Sequence, residues 1–221
     1  MENNTIYRSR ANLLDMLEYR GYDVSEYRNY TLKDISIMAN THISTKSIEI
    51  PELGPLDIEV ENDDGNKIFV KYYLSKFKQS PKFDKLIINI FENQELKKSD
   101  TLILIVLDTV LFKKSKENRV ENYVNKIYTK FKYFVQIYGL DNLLFNISKH
   151  EYVPKHRLIN KNEIKEMMKK YNIQDENVLP TIKREDPMAK YIGMKPNDIC
   201  EITAPSIASS IYKKYRKCIM N

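Results

Sequence analysis

The sequence predicts an α/β (α+β) protein in two parts: an N-terminal domain with a small mixed sheet flanked by helices, and a small α+β domain at the C-terminal end. Three observations carry this expectation. Segments with a two-residue apolar period alternate with segments of helical period across residues 1–149. The run Thr101–Leu107 is β-branched and aliphatic on both faces, as a strand covered on both sides requires. From Ser148 the pattern breaks, and His150-Glu151, Pro154 and Lys155-His156 form a polar connection with little periodicity, which sets the expected boundary between domains 1–149 and 150–221. A chain of 221 residues, 42% hydrophobic, has the material for two cores of unequal size.

The elements follow in order. Ile6–Arg20 places Ala11, Leu14 and Leu17, with Leu13 and Met16 beside them, at helical spacing, and Gly21 stands where a helix stop belongs. Thr31–Asn40 repeats the signal with Leu32, Ile35 and Met38 on one face. Leu56, Ile58 and Val60 then alternate with polar residues, Asp63-Asp64-Gly65-Asn66 supplies a turn, and Ile68, Val70 and Tyr72 alternate again, which predicts a hairpin. Ser80-Pro81 opens a helix over Lys82–Asn93. After the Thr101–Leu107 strand the spacing predicts a long helix over Lys116–Tyr138 and a short strand at Leu143–Ile147. Asn160 with Glu163 forms a capping box for a helix reaching Tyr171, and Pro180 ends an extended piece. Asp186-Pro187 caps a short helix that Gly193 closes, and Ile199–Thr203 and Ile211–Arg216 are the final strands. Repeats and low-complexity tracts are absent from the sequence.

Composition narrows the function classes. No apolar stretch approaches the ~18 residues a membrane span needs, and MENNTIYRSR lacks the apolar core of a signal peptide, so a soluble intracellular protein is expected. Cys200 and Cys218 are far apart and near no histidine cluster, which predicts two buried or partly buried free thiols rather than a disulfide framework or a zinc site. The 36 Lys+Arg against 30 Asp+Glu give +6, of which residues 150–221 hold +5 and residues 1–149 only +1. Within the first part, Lys113–Lys132 is locally basic. Tyr128, Phe131, Phe134 and Tyr138 have the spacing of a buried helix face, so core packing is expected of them rather than base stacking.

Two runs, HEYVPKHRLI (His150–Ile159) and DPMAKYIGMKPND (Asp186–Asp198), carry a family resemblance together with Leu179-Pro180 and a tail from Pro205-Ser206 through Tyr212, Tyr215 and Arg216. In order and spacing they resemble the assembly domain of the fifth-largest subunit common to the eukaryotic RNA polymerases, which archaeal polymerases have in a short form. The opening helix ending in Tyr19-Arg20-Gly21-Tyr22, and the junction LLFNISKHEYVP, are similar to the jaw domain that the eukaryotic form adds. The tail departs from the family: Ala204 and Ile207 stand where a basic and an acidic residue are usual, and Ser210 and Ile211 where a glycine and a basic residue are usual.

The resemblance implies a non-catalytic subunit of a multisubunit DNA-directed RNA polymerase, built of a jaw (1–149) and an assembly domain (150–221). Its expected partners are the largest subunit, the rest of the polymerase assembly and downstream double-stranded DNA; no cofactor, membrane or small-molecule substrate is implied. The docking candidates are His150, Pro154, His156, Asp186, Pro187, Tyr191, Gly193, Pro205, Ser206, Tyr212, Tyr215 and Arg216. Lys113, Lys114, Lys116 and Arg119 are the candidates for phosphate contact, since lysines give salt-dependent attraction without sequence preference. The compartment follows from the source: the nucleus for a cellular eukaryote, the cytoplasm or virion for a large cytoplasmic DNA virus. The alternative is a free-standing basic DNA-binding transcription accessory protein.

The family's jaw is similar in topology to restriction-type nucleases, which gives a third reading. Such an enzyme needs a carboxylate on one strand and an acid-x-lysine triplet on the next to hold a divalent metal. Asp57 could supply the first, but the triplet reads Phe69-Val70-Lys71, and a phenylalanine cannot ligate a hard cation. His150 and His156 lack the accompanying ligands of a metal centre, and hydrogen bonding or docking is expected of them.

Overall fold

A computed structural model describes residues 3–44, 54–74, 81–107, 119–206 and 210–220. The chain divides into two compact units, Met1–Phe145 and Asn146–Asn221. It is α+β, with one mixed four-stranded sheet in each unit.

The N-terminal unit begins with α1 (Asn3–Tyr19), whose inner face holds Ile6, Leu13, Met16 and Leu17 along with the polar Ser9 and Arg10. Ala11, assigned to the apolar face by spacing, is exposed. Gly21 at φ +86° ends the helix, a conformation that costs glycine little. The short α2 (Ser25–Arg28) gave no periodic signal. Among the described side chains of α3 (Leu32–Ser44), Ile35 and Ala39 are buried, while Leu32 is exposed; the buried stripe is set by packing on α1. The hairpin is as expected: β1 (Ile58–Glu61) and β2 (Lys67–Tyr73) are antiparallel with Ile58 opposite Val70 and Glu61 opposite Lys67, and the turn carries Gly65 at φ +71°.

Next come α4 (Pro81–Asn93), β3 (Thr101–Val106), α5 (Arg119–Phe131) and β4 (Phe134–Gly139). Strands β2, β3 and β4 are parallel, giving the order β1-β2-β3-β4. The expected helix to Tyr138 is therefore corrected. It ends at Phe131, Lys132 takes φ +62°, and residues 134–139 form a wholly buried strand. Phe134 and Tyr138 are core residues, as expected, but of a sheet. The run Phe134-Val135-Gln136-Ile137-Tyr138 is apolar at four of five positions, as a strand buried on both faces allows, while Phe131, Phe134 and Tyr138 fall at i, i+3 and i+7, the spacing of a helix. The strand expected at Leu143–Ile147 is also corrected: Leu140–Leu143 and Ile147–Lys149 are 3₁₀ turns.

Side-chain alternation along parallel strands gives this sheet two buried faces. Phe69, Leu102, Leu104, Val106, Val135 and Ile137 pack with Phe83, Ile87, Ile90 and Phe91 of α4 and Val120, Tyr123, Val124 and Ile127 of α5. On the other face, α1 is tied to β4 by a hydrogen bond from Arg20 to Gln136 Oε1 at 2.9 Å, and to the following turn by Asn12 donating to the Leu143 carbonyl at 2.8 Å.

One of the buried polar residues of this unit is Asp57, immediately before β1. Its side chain is fully buried and accepts from Lys71 Nζ at 2.6 Å, the Tyr72 amide at 2.9 Å and the Gly54 amide at 2.7 Å. The Lys71 side chain is itself only 12% exposed.

The C-terminal unit orders its sheet β5-β7-β8-β6 from β5 (Lys155–Leu158), β6 (Thr181–Lys183), β7 (Ile199–Ser206) and β8 (Ser210–Ile219). Of its pairings, β6 against β8 is parallel and the others antiparallel. The expected polar connection over Lys155-His156 is thus partly strand β5: cross-strand pairing with Cys200–Thr203 imposes an extended backbone on a segment with no apolar alternation of its own. Helix α6 (Lys161–Lys170) carries the expected capping box, Asn160 accepting from the Glu163 amide and Glu163 from the Asn160 amide. Its Met167 joins Ile159, Leu179 and Ile199 in a small core. The short α7 (Pro187–Tyr191) has Asp186 as N-cap and ends before Gly193 at φ +73°.

Asp57→Ala is expected to destabilise the N-terminal unit by about 3–5 kcal/mol, because it strands a buried ammonium. Adding Lys71→Met should restore part of that loss. Urea unfolding of both variants checks this.

Candidate functional site

In the C-terminal unit, β7 and β8 pair from Ile199 opposite Lys217 to Ser206 opposite Ser210. Alternation then sorts the docking candidates by sheet face. His156, Tyr212 and Arg216 share one face with Cys200 and Cys218; Pro205 and Tyr215 share the other with Glu201.

The first face is closed near α7. Asp186 Oδ1 accepts from the Met188 and Ala189 amides at 2.8 and 3.2 Å, with Pro187 exposed in the first helical position, where a missing N–H costs nothing. Asp186 and Arg216 are brought together as walls of a cavity of about 400 Å³ beside Thr181 and Lys183, and Arg216 donates to the Thr181 carbonyl at 2.9 Å. Tyr191 is buried, and its hydroxyl accepts from Ser148 at 3.0 Å, so this residue locks α7 to the turn before β5 rather than offering a surface. His156 is buried, with its Nδ1–H donating to the Pro154 carbonyl at 2.8 Å. His150 is exposed and accepts at Nδ1 from the Tyr152 amide at 3.3 Å. Tyr212 is half-buried, with Lys214 Nζ 4.7 Å from its ring centre. The two histidines thus shape the entry to β5.

The second face carries a row of charge that the sequence reading missed. Glu163 on α6 pairs with Arg157 on β5 at 2.6 Å, and Arg157 Nε donates to Glu201 on β7 at 2.9 Å. Glu201 also accepts from Lys213 Nζ and from the Tyr215 hydroxyl on β8, each at 3.0 Å. Glu201 is 4% exposed. Burial by itself raises its pKa, but the hydrogen bonds from Lys213, Arg157 and Tyr215 outweigh that and hold the carboxyl below its ordinary value. Burial and the same carboxylate push the Tyr215 hydroxyl up to about 12. The available signal was the i, i+2 placement of Lys213 and Tyr215 on a strand, which only the register with Glu201 makes meaningful. Pro205 and Ile211, opposite each other at the hairpin end, are both exposed, Ile211 by 60%.

Cys200 and Cys218 are buried free thiols, as expected, and burial pushes them up to about 11 and about 12. Neither is a nucleophile near neutral pH. Ser206 ends β7. Lys113, Lys114 and Lys116 lie outside the described residues, and Arg119 is the first residue of α5.

Asp57 and Lys71, the two nuclease-type residues named from sequence, do meet. Both Asp57 oxygens are engaged, one by the Tyr72 amide and the other by Lys71 and the Gly54 amide, while Phe69 is fully buried in the α4/α5 core. The pair fastens the strand.

Residues 145–218, which is nearly all of the C-terminal unit, match the family described as RNA polymerase Rpb5, C-terminal domain. Over the whole chain, subunit 5B of DNA-directed RNA polymerases IV and V of Arabidopsis thaliana is 24% identical across 219 residues, covering 98% of this chain and 90% of that protein. DNA-directed RNA polymerase V subunit 5C of the same plant is 27% identical across 222 residues, covering 100% and 86%. Subunit 5A of polymerase V is 25% identical across 203 residues, covering 91% and 82%. A chain of two such units, matched along its length by polymerase subunits, is an RNA polymerase subunit. Its residues 145–218 carry the C-terminal domain of the Rpb5 family.

Because Glu201 is held below the unfolded glutamate value of about 4.3, its contribution is complete above that value and is lost as pH falls through the lower folded pKa. Thermal unfolding of wild type should therefore lose stability on acidification in that window, and Glu201→Gln should show a shallower loss.

Proposed function

We propose that this chain is a non-catalytic, architectural subunit that anchors on the largest polymerase subunit through its C-terminal unit and flanks downstream DNA with its N-terminal unit. The observation that carries the reading is the agreement with polymerase subunits over 98% of the chain, which spans both units rather than the C-terminal unit alone. A protein that reused only the assembly module would have no reason to keep this similarity across residues 1–145 as well.

The C-terminal unit is suited to anchoring. Its residues Pro205 and Ile211 present apolar surface at a hairpin end, where burial against a partner is favourable, and the cavity lined by Asp186 and Arg216 offers charges of both signs at its wall. Family contacts that rely on a basic residue before Pro205 and a basic residue at position 211 are replaced here by Ala204 and Ile211, so the docking surface is more apolar at that end. The DNA contact rests on the sequence of the 113–119 segment, where lysines would give a polymerase sequence-independent grip on phosphate. The compartment is that of the enzyme it joins, the nucleus for a cellular polymerase and the cytoplasm or virion for that of a large cytoplasmic DNA virus.

Affinity purification from the native source at raised salt, followed by quantitative mass spectrometry, tests the anchoring. Both large polymerase chains at equal stoichiometry are expected; recovery of this chain alone, or with DNA only, would replace the reading with that of a free-standing accessory protein. In the assembled polymerase, changing Lys113, Lys114 and Lys116 to Gln should reduce the slope of log affinity against log salt by about 0.9 for each phosphate no longer neutralised. An unchanged slope would remove DNA contact from the proposal.

A further inference from the structure

The N-terminal unit contains a buried cation that no carboxylate among the described residues neutralises. Arg10, on the inner side of α1, is 3% exposed. One of its terminal nitrogens donates to the Leu56 carbonyl at 2.5 Å, and its guanidinium carbon lies 5.9 Å from each of the ring centres of Tyr27, Tyr30 and Tyr72. Its Nε–H is buried and has no hydrogen-bond partner among the described residues. The neighbouring Arg28 is different, being held by Asp15 at 3.0 Å and by Glu18.

A tyrosine cage lowers the cost of burying a guanidinium but does not neutralise it. Tyr72 cannot serve as the anion. Burial pushes its hydroxyl up to about 12, with the attraction of Arg10 only partly offsetting that, so it stays protonated. The cage is also not closed: Arg10 forms part of the wall of a cavity of about 200 Å³ whose lining includes the apolar Ala11, Leu14 and Ile35, the aromatic Tyr7, Tyr27 and Tyr30, and the carboxylate-paired Arg28.

We propose that this cavity is a recognition site for one carboxylate side chain of an acidic polypeptide segment, with Arg10 as its counter-ion. Size excludes larger ligands, since pockets for nucleotides and other small molecules run to roughly 300–1,000 Å³. Charge favours a singly charged carboxylate, because Arg28, the other cation of the lining, is already held by Asp15 and Glu18 and Arg10 alone is left to face the ligand. The apolar lining from Ala11, Leu14 and Ile35 fits the aliphatic stem of a glutamate and apolar neighbours beside it. The rim tyrosines, Tyr7 and Tyr30, each 37% exposed, add large contact area at small entropic cost. As a polymerase subunit the chain works among other polypeptides, and the site would take such a segment from a protein associated with the enzyme.

The test is a titration of the full chain with the capped peptide acetyl-Gly-Leu-Glu-Leu-Gly-amide, its Gln counterpart, and inorganic phosphate. The Arg10 Nε–H resonance is followed by NMR alongside tyrosine fluorescence. The Glu peptide is expected to shift that resonance, with the Gln peptide at least about tenfold weaker. Arg10→Met should abolish binding while melting no lower than wild type, since it removes an unpaired buried charge. Ala11→Phe, at an exposed position on α1, should block the cavity with Arg10 untouched, which separates loss of the site from loss of the fold. Equal binding of the Glu and Gln peptides, undiminished binding to Ala11→Phe, or a resonance shift by phosphate at lower concentration than the Glu peptide would each overturn the assignment. So would no shift with any of the three.

Discussion

The N-terminal unit depends on a buried carboxylate. Asp57 sits where the chain enters the sheet, and its two oxygens gather the Gly54 and Tyr72 amides and the Lys71 ammonium. In one position it caps the turn before β1, fastens the end of β2 and neutralises a lysine that the sheet would otherwise bury uncompensated. Such a group is tolerated inside a protein only when charge and hydrogen bonds are both satisfied. The hairpin register, with Ile58 opposite Val70, places Asp57 beside Lys71, and the ion pair in turn disfavours any slip of that register. Because β2 is the strand on which β3 builds, the parallel part of the sheet inherits the same constraint.

That arrangement also bears on chemistry. A carboxylate and a lysine on adjacent strands are two parts of a metal-dependent nuclease site, and here the lysine occupies the carboxylate itself. Phe69 projects into the α4/α5 core. The pair of Asp57 and Lys71 thus acts as a fastening inside the sheet, with both carboxylate oxygens already engaged.

The C-terminal unit solves a related problem by a different route. With 76 residues, 146–221, its core is small, Ile159, Met167, Leu179 and Ile199 being one cluster, and part of its cohesion comes from the row of charge running from Glu163 through Arg157 and Glu201 to Lys213 and Tyr215. The members on the rim are substantially exposed and individually weak; Glu201 at the centre is buried and accepts three hydrogen bonds. Such a row fixes the alignment of β5, β7 and β8.

What the sequence determined is the local part of the structure. The hairpin around Gly65, the capping box at Asn160 and Glu163, the Asp186-Pro187 helix start and the doubly buried strand at Thr101–Val106 each follow from residues within a few positions of one another, where turn geometry, capping and burial period act directly. The family resemblance over residues 145–218 was legible for the same reason, as ordered runs of specific residues. Tertiary structure decided what depends on neighbours distant in sequence. Residues 134–139 are a strand because β3 offers an edge to pair with, although their aromatics kept helical spacing. Residues 155–158 are a strand because β7 lies beside them. Tyr191 is interior because Ser148 meets it, Glu201 is a hub because register sets Arg157 and Tyr215 on either side, and Arg10 is a caged cation because α1 turns it toward Leu56 and Tyr72. None of these contacts leaves a periodic mark in the sequence, since the partner that stabilises each conformation comes from elsewhere in the chain.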